Sequence, residues 1–163
     1  MKAKPMAVLL AVLLLSVLVV SGAAVGGGAA PSAGTVVKVA FNKTLKKSIV
    51  VDGKGRTVYM FTFDTGGAPP TCTVQLDPIC PKLWPPVRSQ GAPRAGKGVI
   101  ASKLGTVKRT DGGRQVTYNR HPLYYFSGCC GYGPGDKKPG DARGQAFLVV
   151  WYVLSPKGTP IRR

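Results

Sequence analysis

The groups that could carry chemistry in this chain are few, and the adjacent thiols of Cys129 and Cys130 are the most unusual of them. The two cysteines could bond to each other, pair elsewhere, or act as a redox or soft-metal pair near His121, the single histidine. Structural zinc sites favour cysteines two to four residues apart, so adjacent cysteines do not fit that spacing. We therefore predict no metal site, and a thiol redox or soft-metal-binding protein is the alternative function.

Cys72 and Cys80 enclose a short loop. A disulfide across it would stabilise the fold by ~2.5 kcal/mol, because it restricts the unfolded chain. Four cysteines in an exported chain indicate disulfides and allow three pairings. One of these pairings bonds Cys72 and Cys80 to Cys129 and Cys130, and it would join the two halves of the chain.

Acid and base catalysis has little support in the composition, because all six acids are Asp and no Glu is present. Hydrolysis of a wall sugar would need two carboxylates about 5–9.5 Å apart. His121 precedes Pro122, and no nucleophile motif accompanies it. We expect His121 to be packed or hydrogen-bonded and Asp64 to accept backbone N–H bonds in a turn. The prediction is a non-enzymatic protein with no catalytic residue, metal or cofactor.

The N-terminus has the order of a secretory signal peptide, with Lys2 and Lys4 before an apolar run and small residues after it. We predict a signal helix over residues 1–24, cleaved after Ala24 or else after Ala30, and a flexible linker over residues 25–35. The apolar run is also long enough for a retained anchor. The expected location is secreted or extracytoplasmic, in the periplasm or the cell wall.

Turn-forming residues, including 22 Gly and 14 Pro, alternate with runs rich in Val, Ile, Thr and Tyr. This composition predicts an all-β fold, a single compact domain of short antiparallel strands over residues 36–163. Asp52-Gly53 and Asp111-Gly112-Gly113 each indicate a hairpin, in the same relative place in the two halves. The predicted strands are Val36–Phe41, Ser48–Asp52, Arg56–Phe63, Val99–Ser102, Thr106–Arg109, Gln115–Tyr118, Leu123–Ser127 and Phe147–Leu154.

Two aromatic features recur at nearly one period along the chain. Tyr59 and Tyr124 are 65 residues apart, and Trp84 and Trp151 are 67 apart. We therefore predict two tandem pseudo-repeats, at about 36–95 and 96–163, that pack on each other. Alternation places Tyr59, Phe61 and Phe63 on one face of a central strand that is apolar on both faces. Trp84 with Pro85 and Pro86, together with the Tyr-rich second half, could also form a platform for sugar or peptide, but aromatics in apolar strands usually form core.

These residues resemble a bacterial family of exported repeat proteins, many of them predicted lipoproteins, that carry the motif Tyr-x-(Phe/Trp/Tyr)-x-x-Asp. The residues that carry the resemblance are Tyr59, Phe61, Asp64 and Trp84 in the first copy, and Tyr124, Phe126 and Trp151 in the second. In the second copy Cys129 occupies the Asp position, and an insertion precedes Asp136. The cysteine for lipid attachment is absent, which suggests a released or wall-held member. The resemblance implies no established activity.

The formal charge of +17 predicts partners of negative charge. Outside the membrane these are anionic wall polymers or lipid headgroups, which a basic field attracts in a salt-dependent way. No nucleic-acid reader motif is present, so no specific nucleic acid is expected. The predicted function is an exported non-enzymatic β-repeat protein associated with the anionic cell surface. No membrane span is expected after cleavage, and the sequence sets no oligomeric state.

Overall fold

The structure is a computed structural model that describes residues 34–64 and 66–162. The predicted signal peptide and most of the predicted linker lie outside the described residues. Within those ranges no helix is long and apolar enough to cross a bilayer. The elements are β1 (Val36–Asn42), β2 (Lys47–Asp52), β3 (Tyr59–Phe61), α1 (Cys80–Leu83), β4 (Arg94–Ala95), a 3₁₀ turn (Ala101–Lys103), β5 (Leu104–Lys108), β6 (Arg114–Tyr118), β7 (His121–Pro122) and β8 (Trp151–Val153). The predicted all-β class is confirmed.

The strands form three small sheets with the orders β2-β1-β4, β3-β8 and β5-β6-β7. All pairs are antiparallel except β1 with β4, which is parallel. Isolated bridges join the sheets, and Tyr124 takes part in two of them, one to Tyr59 and one to Pro86. Tyr124 therefore joins β3 to the chain segment at Pro86.

Strand β3 lies between two clusters of buried side chains. Val58 and Met60 belong to the first cluster, which also contains Tyr152. Tyr59 belongs to the second, and Phe61 packs against that cluster. Successive side chains of a strand point to opposite faces, so this central strand serves both clusters. The two apolar faces are confirmed, but the predicted strand Arg56–Phe63 is regular only over β3, and Phe63 lies beyond its end and is exposed.

One predicted hairpin is confirmed and the other forms only in part. Lys108 pairs with Arg114 across the Asp111 turn, as expected. After Asp52, however, the chain makes a tight turn with a single bridge, between Val51 and Thr57. The long hairpin of the first half is instead β1–β2, because the strand that follows the Asp52 turn pairs with β8.

Three predicted strands also differ from the structure. Val99–Ser102 runs into the 3₁₀ turn, and Leu123–Ser127 contributes only the isolated bridges of Tyr124. Of Phe147–Leu154, only β8 is a regular strand, because the chain reverses first: the Trp151 N–H donates to the Phe147 carbonyl at 3.2 Å. An apolar run alone does not distinguish a strand from the turn that leads into it.

The two halves of the described chain are interleaved about a local two-fold relation. The Tyr59 N–H donates to the Tyr124 carbonyl and the Tyr124 N–H donates to the Tyr59 carbonyl, both at 2.9 Å. Tyr59 pairs with Val153 of the second half, and Tyr124 bridges to Pro86 of the first. Each aromatic segment therefore takes its pairing partner from the other half.

Candidate functional site

The two motif tyrosines donate hydrogen bonds to the aspartates of the opposite halves. The Tyr124 hydroxyl donates to Asp64 Oδ2 at 2.6 Å, and the Tyr59 hydroxyl donates to Asp136 Oδ2, also at 2.6 Å. Asp136 therefore occupies the place of the motif Asp in the second copy, although the sequence puts Cys129 at that position. The motif residues therefore form two reciprocal hydrogen bonds that connect the halves of the chain.

The remaining carboxylate oxygens of these aspartates are engaged by their own loops. Asp64 Oδ1 accepts from the Thr71 N–H and hydroxyl, both at 2.8 Å, and Asp136 Oδ1 accepts from the Arg143 N–H at 2.8 Å. Burial, together with the neighbouring carboxylate, raises the pKa of both tyrosines, so their hydroxyls stay protonated donors. These carboxylates act as structural acceptors, which agrees in part with the turn predicted at Asp64.

The other motif residues form a column of rings that is buried except at Phe61, which is partly buried. Phe61 stacks on Trp151 with centroids 4.2 Å apart, and Trp151 stacks on Trp84 at 3.9 Å. Phe126 follows Trp84 at 4.7 Å. A side chain at Gly144 would place its Cβ 2.7 Å from the Trp84 ring, so only glycine lets the backbone approach this closely. These rings are core and do not form an open platform for sugar or peptide.

Both cysteine pairs are local disulfides, so the predicted alternative that joins the two halves is wrong. Cys72 bonds Cys80, with Cα atoms 5.4 Å apart, and Cys129 bonds Cys130. No cysteine is free in the described part of the chain. This bonding does not favour the thiol redox alternative.

Within residues 34–64 and 66–162, His121 does not belong to any group of three or more side chains that could hold a metal ion. Its Nδ1 is buried and has no hydrogen-bond partner there. Burial lowers the pKa of His121, although the nearby Asp64 carboxylate opposes this shift. The imidazole is therefore neutral at pH 7 and packs at the start of β7, in line with the expectation of a packed side chain.

Arg109 is a buried cation that the sequence analysis missed. It is 2% exposed, and its guanidinium donates to the Cys72 carbonyl at 2.8 Å and to Gln115 Oε1 at 2.5 Å. It also pairs with Asp111, whose pKa the Arg109 hydrogen bond lowers. Arg109 thus ties the disulfide loop to β6. The sequence indicated this ion pair only through Asp111, which lies two residues from Arg109.

An open cleft of about 780 Å³ lies between the β1–β2 hairpin and the loop at residues 138–143. Its apolar floor contains Ala40, Ile49 and Val51. Two hydrogen bonds hold the loop against the sheet: Asn42 Nδ2 donates to the Gly140 carbonyl at 3.0 Å, and the Thr57 hydroxyl donates to the Asp141 carbonyl. We call this feature the cationic cleft, and its basic lining residues are Lys38, Lys43, Lys54, Lys138 and Arg143.

The single acid of the cationic cleft is Asp141. Its carboxylate accepts from the Lys137 N–H at 2.9 Å and lies 3.8 Å from Arg143 Nε. These backbone hydrogen bonds, with the basic neighbours, lower the pKa of Asp141. Within the described residues no carboxylate forms an ion pair with the four lysines of the cleft. The cleft therefore presents a net excess of unpaired positive charge.

The sequence analysis predicted a basic surface but not this cleft. Lys43 and Lys138 lie far apart in sequence, and only the docking of the 138–143 loop on β1 brings them together. The available signal was local: Lys38, Ala40 and Asn42 alternate along one face of β1. No pattern in the sequence indicates that the second loop docks there.

Residues 105–155 match a family model described as a secreted repeat of unknown function. The matched region runs from within β5 to just beyond β8 and includes Tyr124, Phe126 and Trp151. The resemblance to a family of secreted repeats is thereby confirmed over this region. No curated protein and no solved structure matches the chain. The family's description as secreted supports an extracytoplasmic location.

Proposed function

We propose that this protein is a non-enzymatic exported β module that is retained at the cell surface by binding anionic wall polymers in the cationic cleft. The observation that carries the proposal is the composition of the cleft, which is lined by five Lys and Arg residues and a single acid. Phosphate or carboxylate groups repeated along a polymer would complement this lining.

The shape of the cationic cleft also suits an extended ligand. It is open to solvent and lies along a hairpin, so a polymer segment can enter it sideways without threading through an opening. The lysines carry flexible, strongly hydrated ammonium groups, which suit polyanions of irregular spacing better than one fixed anion. Binding of this kind is governed by charge and is sensitive to salt.

The absence of catalysis is the second part of the proposal. Asp64 and Asp136 accept hydrogen bonds on both of their oxygens, and the cationic cleft contains one acid. A pair of carboxylates for sugar hydrolysis would have to face a common open space. These contacts support a binding module over a hydrolase.

The test is co-sedimentation of the protein with purified anionic wall polymer, with a matched pair of triple variants. Lys43, Lys54 and Lys138 become Gln in the cleft variant, and Lys82, Lys108 and Lys157, which are also exposed, become Gln in the control. We expect the cleft variant to lose at least about tenfold in affinity at low salt, and the control about twofold.

Two results would count against the proposal. If the native protein stays in solution at about 0.03 M salt, where the screening length is long, surface retention by charge is wrong. If both triple variants lose affinity equally, the overall charge acts and the cleft is not the binding site. Release of bound protein at about 0.5 M salt is the expected behaviour of the native chain.

A further inference from the structure

Three apolar side chains are exposed together where the β3–β8 ribbon ends. The Thr62 N–H donates to the Val150 carbonyl at 3.0 Å and continues the register in which Phe61 pairs with Trp151. Phe63 and Val149 are the chain neighbours of this hydrogen-bonded pair and lie in the turns where the ribbon ends. We call Phe63, Leu148 and Val149 the apolar tip, and they are 66%, 69% and 72% exposed.

The apolar tip is displayed on a rigid support. Leu148 and Val149 have φ values of 48° and 59°, in the left-handed region that is costly for a β-branched residue such as valine. The turn is nevertheless held, since the Val149 N–H donates to the Ala146 carbonyl at 3.0 Å. Phe63 packs edge-on against Phe61, which stacks on the buried Trp151. The backbone is thus fixed with these side chains pointing to solvent.

The fold does not require apolar residues at this place. In the other half, the Ser127 N–H donates to the Leu83 carbonyl at 2.9 Å, in the place of the Thr62 bond. The residues that follow there are Gly128 and Lys82, which correspond to Phe63 and Val149. At these two positions one end of the two-fold arrangement therefore has exposed apolar side chains, and the other end has Gly and Lys.

The size and charge of the apolar tip decide between its possible occupants. A stable protein interface buries about 800 Å² on each partner, more than three side chains supply. A second copy would also bring the same formal charge of +17 and would be repelled. An anionic lipid surface has the complementary charge, and it accepts a few apolar side chains at its boundary.

The charges beside the apolar tip are compatible with a lipid surface. Asp64 follows Phe63 directly but is buried, 3% exposed, and hydrogen-bonded to Tyr124. Arg120 reaches the same loop, where its guanidinium donates to the Gly66 carbonyl at 2.7 Å. The segment next to the tip therefore offers a cation and no exposed carboxylate among its described residues.

We infer that the apolar tip inserts into the interfacial region of anionic lipid bilayers, with Phe63, Leu148 and Val149 as the inserted side chains. This surface is distinct from the cationic cleft, and the inference does not rest on the proposed binding of wall polymer. Apolar burial at the headgroup boundary and attraction to anionic headgroups would act together.

The first experiment places a fluorescent reporter at the tip of the full chain. Phe63→Trp is compared with Phe41→Trp, since Phe41 is 64% exposed and lies at the cationic cleft. Vesicles of phosphatidylcholine with about 30% phosphatidylglycerol are added, with and without brominated acyl chains. We expect a blue shift and bromine quenching for Phe63→Trp alone. No change in Phe63→Trp, or equal quenching in Phe41→Trp, overturns the inference.

The second experiment measures partitioning of full chains onto the same vesicles. Phe63→Ser, Leu148→Ser and Val149→Ser are combined, and Phe41→Ser with Ile100→Ser is the control at exposed apolar positions. We expect about tenfold weaker partitioning for the tip variant and little change for the control. Both variants keep the apolar N-terminal segment, so its contribution cancels. Equal partitioning, or a native dimer without lipid that the tip variant abolishes, overturns the inference.

Discussion

The two halves of the chain reach the same contact between tyrosine and aspartate through loops of different length. In the first half Asp64 follows Phe61 closely, and its N–H donates to the Phe61 carbonyl at 3.2 Å. In the second half Asp136 comes after a longer loop, yet its N–H donates to the Phe126 carbonyl at 3.0 Å. The position of the carboxylate in space is therefore the same although the spacing along the chain differs.

Glycine at the base of the second loop makes this equivalence possible. Gly128 has a φ of 65°, and a Cβ placed there would lie 1.9 Å from the Gly135 nitrogen. The two backbone segments at the base of this loop are thus in contact. The inserted residues, which include the Cys129–Cys130 disulfide, therefore leave the fold and rejoin it at the same place. An insertion of this kind adds surface without moving the residues that hold the halves together.

The largest expected effect comes from breaking the contact of the two tryptophans. Trp84→Ala and Trp151→Ala should each lower the free energy of unfolding by about 3–5 kcal/mol, because each removes a buried ring from the stack. Since the two residues are counterparts, we expect the losses to agree within about 1 kcal/mol. Urea unfolding followed by circular dichroism measures both. A small loss for one variant beside a large loss for the other contradicts the two-fold description.

A smaller effect is expected from the two disulfides, one in each half. Replacing Cys72 and Cys80 by Ala should cost about 2.5 kcal/mol, because that bond closes a loop in the unfolded chain. Replacing Cys129 and Cys130 by Ala should cost less than about 0.5 kcal/mol, since adjacent residues close almost no loop. Urea midpoints of the two double variants provide the measurement, and the reverse order would contradict this account.

The tyrosine hydroxyls should matter less, and unequally. Tyr124→Phe leaves the buried Asp64 without a donor and should cost about 1–3 kcal/mol. Tyr59→Phe should cost about 1 kcal/mol, because Asp136 is only half-buried and water can replace the hydroxyl. Thermal unfolding of the two variants gives the comparison. Equal losses would show that burial does not set the difference.

The smallest effect concerns pH, and it has opposite signs for two aspartates. Burial raises the pKa of Asp136 above 3.8, so its contribution to stability falls as pH rises from 3.8 through the folded value. The Arg109 hydrogen bond lowers the pKa of Asp111 below 3.8, so its contribution is lost as pH falls through the folded value. Unfolding free energies of Asp136→Asn and Asp111→Asn across acidic pH should change slope in opposite directions. Parallel curves would contradict the assignment.

The sequence predicts the local part of this fold well. Alternation around Tyr59 assigns the faces of β3, because side chains of a strand alternate regardless of what they pack against. The Asp111 hairpin follows from its turn residues. The Cys72–Cys80 disulfide belongs to one of the three pairings that four cysteines allow, and it closes a short loop that is visible in the sequence. These features depend on residues that are close together along the chain.

The remaining features depend on contacts between distant residues. Pairing of β3 with β8 places Phe61 opposite Trp151, and nothing near either residue in the sequence indicates the other. The cationic cleft likewise forms only because Lys43 and Lys138, from different halves of the chain, line the same open space. Burial of Arg109 was equally unpredictable, because the Cys72 carbonyl that it binds belongs to a loop far away in the sequence. The charge and composition of the chain do not predict these long-range contacts.

The interleaving of the halves has a consequence for any protein that carries the repeat once. Residues 105–155 include Tyr124, but the aspartate that accepts its hydroxyl and the segment that bridges to it belong to the other copy. A single copy would meet these needs only by joining a second molecule as a symmetric dimer, whose formation depends on concentration. Tandem fusion makes that association intramolecular, so the folding of this chain does not depend on its concentration.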